Sequence, residues 1–179
     1  LTLSVAMDQA VGVEQGLTTL QVAAGFGAAL AGLVVLFFLR SLRFTFVIVL
    51  SIPLAILAAI FGLFFTGDTI NAMTLGGLAL AIGILVDQSI VVLENVVRHA
   101  HMGKTPRVAA LDGAAEVATP MLVSTITFAI VFFPVVFLSG LAKFLFTPLA
   151  IAASIAIFAS YIIAITLVPA YCAGFLRVR

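Results

Sequence analysis

The stretch from Thr69 to Asn95 reads TINAMTLGGLALAIGILVDQSIVVLEN. Eighteen uncharged residues, from Thr69 to Val86, precede the acid Asp87, and six more uncharged residues follow before Glu94. A membrane-spanning helix needs about 20 mostly apolar residues, so this stretch predicts a helix that crosses a bilayer. A charge at membrane depth costs about 2.5–3.5 kcal/mol on insertion scales, so a functional role is the default expectation for Asp87. The alternative is that Asp87 lies near a helix end and reaches water.

The composition places the chain among integral membrane proteins. Of its 179 residues, 64% are hydrophobic and 8% are charged, whereas soluble domains carry about 25% charged residues. The periodicity is helical and lacks the alternation of an outer-membrane barrel. The net charge of +1 gives no reason to expect a nucleic-acid partner. A single cysteine, Cys172, excludes an intrachain disulfide and a cysteine metal cluster.

Charged residues divide the sequence into five uncharged runs, each long enough to cross a bilayer once. The predicted fold is therefore an all-α membrane bundle of five transmembrane helices within residues 21–179. Asp68, Thr69 and Asn71 offer N-caps for the third span. The predicted spans are about 21–39, 44–66, 70–97, 114–138 and 145–175.

The basic residues predict the orientation of this bundle. Seven of the eight lysines and arginines fall on one side of the five-span topology, and Lys143 alone falls on the other. Because lysine and arginine concentrate in cytoplasmic loops, the N-terminus is expected outside and the C-terminus in the cytoplasm. In residues 1–20, the segment Leu1–Val5 alternates like a strand and is followed by polar residues. We expect residues 1–20 to be the tail of an external domain that leads into the first span, and the chain to be a piece of a longer protein.

One face of the third span combines small, acidic and basic residues at steps of three or four, which we call the Asp87 face. Gly76 and Gly83 on this face predict close packing of a neighbouring helix. Glu94 and Arg98 have the spacing of an i,i+4 ion pair, which either anchors the helix at the membrane surface or takes part in ion movement. The Asp87 face comprises Gly76, Leu80, Gly83, Asp87, Val91, Glu94 and Arg98.

Asp87 has no basic partner at helical spacing within the span, so its partner is expected to be another helix, water or a proton. Desolvation raises the pKa of a carboxylate, and a nearby cation lowers it. A carboxylate between these influences can load and release a proton and so bias a conformational equilibrium. This pattern predicts proton coupling, with Na⁺ coupling left open by the sequence.

Other polar residues have simpler interpretations. Gln88 is expected to hydrogen-bond another helix rather than a substrate. Ser124 and Thr125 on the fourth span are candidates to support a carboxylate or water, although such hydroxyls more often bond their own backbone. His99 and His101 form a His-x-His pattern without a third ligand, so a solvated basic loop is expected and no metal site.

The sequence resembles the resistance-nodulation-division superfamily. The motif that carries the resemblance runs from TINAMTLGG into GILVDQSIVVLENVVRH. The pieces PLAILAAIFG, VFFPVVFLSG and TLVPAYCAGFL match as well, and the resemblance covers essentially the whole chain. It is strongest to the inner-membrane, proton-driven permeases of tripartite efflux systems.

The resemblance implies that the five spans are helices 2–6 of the first membrane half of a permease. A porter domain would precede them and a second membrane half would follow. Asp87 would then be a proton-relay residue whose partners, a lysine and hydroxyls, lie in that second half. Many drug-exporting members carry a second aspartate where this chain has Gln88. Protons would be the coupling ion, with no cofactor, in a homotrimer that joins a periplasmic adaptor and an outer-membrane channel from the bacterial inner membrane.

The expected function is therefore secondary active export of hydrophobic or amphiphilic compounds, driven by the proton-motive force, and no enzymatic activity. A lipid or hydrophobe exporter, or a heavy-metal-ion exporter, of the same superfamily would share this bundle. An intramembrane aspartyl protease needs two deep aspartates on separate helices, and Asp87 is the only one here. A non-transporting scaffold would leave the cost of Asp87 unexplained.

Overall fold

The computed structural model describes residues 9–39 and 41–175, and every element in these two ranges is helical. Within these ranges five helices are long and apolar enough to cross a membrane, which agrees with the predicted all-helical membrane bundle. The predicted strand at Leu1–Val5 lies outside the described residues. The elements are α1 (Gln9–Leu39), α2 (Leu42–Thr66), α3 (Ala72–His101), α4 (Pro106–Val131), a short 3-10 helix (Phe133–Phe137) and α5 (Gly140–Phe175).

Successive helices run in opposite directions, as two core clusters show. In one cluster the ends of α1, α3 and α5 meet the beginnings of α2 and α4, with Val35, Ile48, Val96, Ala109 and Val168 among its buried residues. The other cluster joins the beginnings of α1, α3 and α5 to the end of α2. We call the end at which α3 ends and α4 begins the basic end, because Arg98, Lys104 and Arg107 lie there.

Helix α3 is the central element and contacts each of the other four helices. In its most apolar eighteen residues 56% are buried, against 11% for the segment of α4 and the 3-10 helix. Since a helix that is buried on most sides must be apolar on most sides, the long uncharged run before Asp87 matches this central position.

Two glycines let the backbones of neighbouring helices pack closely against α3. A Cβ atom at Gly77 would collide with the backbone oxygen of Leu149 on α5. A Cβ atom at Gly113 on α4 would lie 2.7 Å from Cα of Val96 on α3. Small residues permit such contacts between membrane helices. The lack of a side chain at Gly77 and Gly113 therefore lets α5 and α4 pack closely against α3.

The start of α3 is fixed by a capping box. The Asn71 side chain accepts hydrogen bonds from the N–H groups of Met73 and Thr74 at 2.9 Å and 3.0 Å. The Thr74 hydroxyl accepts one in return from the Asn71 N–H at 2.8 Å. Of the three predicted caps, Asn71 is the one that begins the helix, because its side chain satisfies N–H groups that have no partner within the first turn.

Candidate functional site

The Asp87 face is the side of α3 that the described helices leave uncovered. All seven of its residues are exposed, whereas the neighbouring positions Leu85, Gln88 and Ser89 are buried. Asp87 lies near the middle of the thirty-residue helix rather than near either end. Within the part of the chain that the structure describes, its carboxylate has neither a hydrogen bond nor an ion pair. A mid-helix carboxylate therefore stands unpaired on the outer surface of the bundle.

Gly76 and Gly83 share this open surface. No atom of the described chain lies within 4 Å of a Cβ atom built at either glycine, apart from their immediate surroundings on α3. Their predicted role in close packing of a neighbouring helix stays a prediction, because no helix among the described residues contacts them. Gly77 and Gly113, which pack closely against the backbones of neighbouring helices, were not predicted from the sequence. The adjacent pair Gly76-Gly77 offered a signal, because two neighbouring residues on a helix lie about 100° apart and one of them can face inward.

Gln88 lies about 100° around α3 from Asp87, on a buried side of the helix, and bonds to α4. Its Nε2 donates to the Thr125 hydroxyl at 2.9 Å, and that hydroxyl donates to the Met121 carbonyl at 2.8 Å. The Gln88 Oε1 atom is buried and has no partner among the described residues. The expected bond from Gln88 to another helix is therefore present. Thr125 supports Gln88, whereas Ser124 is exposed and forms no hydrogen bond within the described ranges.

Hydroxyl groups hold the other sides of α3 near the middle of the bundle. Ser89 on α3 donates to the Ser51 hydroxyl on α2 at 3.0 Å. Ser160 on α5 donates to the Leu85 carbonyl at 3.0 Å. Serine side chains in membrane helices commonly form such interhelical bonds. Together with Gln88 they fix the rotation of α3, and hence the direction in which Asp87 points.

Arg98 pairs with α4 instead of with Glu94. Its Nη2 lies 2.7 Å from both carboxylate oxygens of Glu116, and its Nε donates to Asn95 Oδ1 at 2.9 Å. The prediction of a Glu94–Arg98 ion pair is therefore wrong. The reason is tertiary, because the contact at Gly113 brings Glu116 within reach of α3. Glu94 is left exposed, with no ion pair to any described residue.

His99 belongs to the last turn of α3 and is buried, so the expected solvated loop is wrong at this position. Its Nε2 lies 2.6 Å from Glu116, and its Nδ1 lies 3.0 Å from Nζ of Lys104. Because an ammonium group only donates, Nδ1 accepts and the ring proton sits on Nε2, which donates to Glu116. Lys104 also bonds to Asp112 at 2.6 Å. Among the residues that the structure describes, no group of three or more His, Cys, Asp or Glu could hold a metal ion.

The fold and the Asp87 face together define a polytopic α-helical membrane protein whose central helix carries a carboxylate that pairs with no described residue. The whole chain, residues 1–179, matches the AcrB/AcrD/AcrF family. The chain belongs to this family, and its resemblance to the resistance-nodulation-division permeases is confirmed.

Curated relatives share about a third of their residues with the chain. Multidrug resistance protein MdtC of Yersinia pestis bv. Antiqua (strain Angola) is 36% identical over 177 residues, which cover 99% of this chain and 17% of that protein. The protein of the same name from Yersinia enterocolitica serotype O:8 is 35% identical over 179 residues, or 100% of this chain and 18% of that protein. The chain thus spans less than a fifth of the length of these relatives.

Proposed function

We propose that this chain is the part of a proton-driven secondary active exporter that couples proton movement to transport, with Asp87 as the coupling carboxylate. One observation carries the proposal: Asp87 lies in the middle of the central apolar helix, on a face that no described helix covers. A carboxylate at that depth is costly unless it is hydrated, paired with a cation or protonated.

These states fall into two charge forms of the carboxyl group, ionised and neutral, and each form favours a different environment for the Asp87 face. A protonated Asp87 is neutral and tolerates an apolar neighbour, whereas an ionised Asp87 requires water or a cation. Binding and release of one proton can therefore shift the equilibrium between two arrangements of α3 and the surface that covers it. In this proposal that surface belongs to the rest of the same polypeptide, namely a second membrane half, and the proton is the coupling ion.

The orientation follows from the charges at the two ends of the bundle. Arg98, Lys104 and Arg107 lie at the basic end, and Lys143 lies near the beginning of α5 at the opposite end. By the positive-inside rule, the basic end faces the cytoplasm of a bacterial inner membrane. The assembly proposed is a homotrimer with a periplasmic adaptor and an outer-membrane channel.

The substrates proposed are hydrophobic or amphiphilic compounds. The support is that the similar proteins from Yersinia are named for multidrug resistance. The chain matches only 17% or 18% of those proteins, so a porter domain elsewhere in the polypeptide would select the substrate.

The test is gradient-driven export by the complete permease in proteoliposomes, with Asp87→Asn compared with wild type. We expect Asp87→Asn to insert normally and to lose export under an imposed pH gradient, because an amide cannot exchange a proton at that site. Asp68→Asn is the matched control, since Asp68 lies in the turn after α2 and bonds to Thr66 instead of facing outward from α3. Normal gradient-driven export by Asp87→Asn would overturn the proposal.

A further inference from the structure

Glu94 is the second carboxylate on the Asp87 face, two helical turns closer to the basic end. The step of seven residues from Asp87 to Glu94 corresponds to about 10.5 Å along the helix axis. Glu94 borders an open cleft of about 430 Å³, lined by Val91, Glu94, Asn95, Val97, Arg98 and His101 of α3 and by Val117 of α4. The charged or titratable groups of this lining are Glu94, Arg98 and His101. No described residue of α1, α2 or α5 lines it.

An isolated helix with this sequence would place Arg98 against Glu94, since acid and base four residues apart face each other. Two contacts direct Arg98 elsewhere. Asn95 accepts a hydrogen bond from Nε of Arg98 at 2.9 Å, which turns the guanidinium toward α4. Glu116 then accepts from Nη2 at 2.7 Å.

Glu116 occupies this position because α4 is drawn unusually close to α3. Gly113 lies against the backbone of Val96, and Asn95 Nδ2 donates to the Gly113 carbonyl at 2.8 Å. Glu116 lies three residues beyond Gly113, on the same side of α4. Besides the bond from Arg98, its carboxylate accepts hydrogen bonds from Asn95 Nδ2 at 3.2 Å and from His99 Nε2 at 2.6 Å. The carboxylate is thus surrounded by donors from α3 and competes effectively for the guanidinium.

We propose that Glu116 is a positioning residue for proton coupling, which holds the Arg98 guanidinium against α4 and so keeps it away from Glu94. This inference rests on the proposed function of Asp87. Without a cation beside it, Glu94 stays an unpaired carboxylate between Asp87 and the basic end. A guanidinium paired with Glu94 would stabilise the ionised carboxylates, and loading a proton would then require a higher proton concentration.

The experiment measures the pH dependence of gradient-driven export by the complete permease in proteoliposomes. Glu116→Gln keeps the shape of the side chain and removes the charge that holds Arg98, so Arg98 is free to pair with Glu94. We expect the alkaline limb of the pH profile to move about 1 pH unit lower, because the carboxylate then loads its proton only at a higher proton concentration. In Glu116→Gln/Arg98→Gln no cation can move, and the profile is expected to return to that of wild type. A purely structural role for Glu116 would leave the single and double variants alike.

Two further variants make the result decisive. Asp112→Asn removes the acid one turn earlier on α4, and this acid bonds to Lys104 instead of Arg98. The substitution should leave the midpoint of that limb of the pH profile unchanged. Arg98→Gln alone should also leave the midpoint of that limb unchanged, because in wild type the guanidinium is bound to Glu116 and not to Glu94. A shifted midpoint in Arg98→Gln overturns the inference even if Glu116→Gln fails to fold, and so does a wild-type profile in Glu116→Gln. In either case, lost export in Asp87→Asn would leave the proposed function standing, and retained export there would remove it independently.

Discussion

Asp87 and Gln88 are neighbours in the sequence but lie on different sides of α3. The Gln88 side chain is buried and donates to Thr125 on α4 at 2.9 Å, whereas Asp87 is exposed on the face that no described helix covers. The two positions therefore meet different environments in any assembly that keeps this bundle intact. A charge at position 87 can reach a partner outside the bundle, and a charge at position 88 would be enclosed within it.

Gln88→Met should change stability little. The substitution removes the hydrogen bond to Thr125, but it also removes the buried Oε1 atom that has no partner among the described residues. Losing a bond and an unsatisfied group together is often nearly neutral, so we expect a change within about 1 kcal/mol in the free energy of unfolding. Thermal unfolding of the complete permease in detergent measures it.

Gln88→Asp is the contrasting variant at this position. It places a carboxylate in the seam between α3 and α4, where burial of an unpaired charge is strongly unfavourable. We expect a loss of several kcal/mol at neutral pH and partial recovery at acid pH, because protonation removes the charge. Equal stability of Gln88→Asp and Gln88→Met at neutral pH would show that position 88 is not enclosed.

Gly113→Ala should separate α4 from α3. The new Cβ atom would lie 2.7 Å from Cα and 2.9 Å from the backbone nitrogen of Val96, so one backbone must move. Overpacking of this kind costs about 1–3 kcal/mol, which the thermal unfolding midpoint should report. Gly12→Ala is the control, since no atom of the described chain lies within 4 Å of a Cβ atom built there and alanine favours a helix. A higher midpoint in Gly113→Ala than in Gly12→Ala would contradict the close contact.

Helical periodicity predicted the Asp87 face from the sequence, and uncharged runs predicted the five spans. Both are properties of a single segment, because the spacing of residues along a helix fixes which side chains share a face. The choice of Asn71 as a cap was also within reach, since a cap acts on the turn that follows it.

The partners of these residues were beyond the sequence because they depend on how helices pack. Glu94 and Glu116 are both acids within reach of Arg98, and only the contact at Gly113 decides between them. The boundary of α3 was missed for a related reason. The sequence around His99 has the composition of a basic loop. His99 nevertheless bonds to Glu116 and Lys104, and the helix continues through His101.

Asn71→Ala should destabilise the beginning of α3. It removes the side-chain acceptor for two N–H groups of the first turn, and loss of such a cap costs about 1 kcal/mol. Ser41→Ala is the matched control, because Ser41 occupies the same position before α2 but forms no capping bond through its side chain. Hydrogen exchange of the first turns of α2 and α3 compares the two variants. Faster exchange in α3 only for Asn71→Ala is expected, and equal effects of both variants would argue against the capping box.

Gly83→Leu tests whether the Asp87 face receives a helix from elsewhere in the polypeptide. Within the described chain the new side chain would meet open space, so the bundle itself should tolerate it. In the complete permease, a helix that packs on Gly83 would be forced away from Asp87. Gradient-driven export should then fall at least about tenfold. The reason is that misplacement of reacting groups by about 1 Å can reduce a rate about 100-fold. Gly12→Leu supplies the control, as it adds the same side chain to an open position on α1. If both variants export like wild type, the Asp87 face meets lipid or water instead of a helix, and the partner of Asp87 has to be sought in solvent.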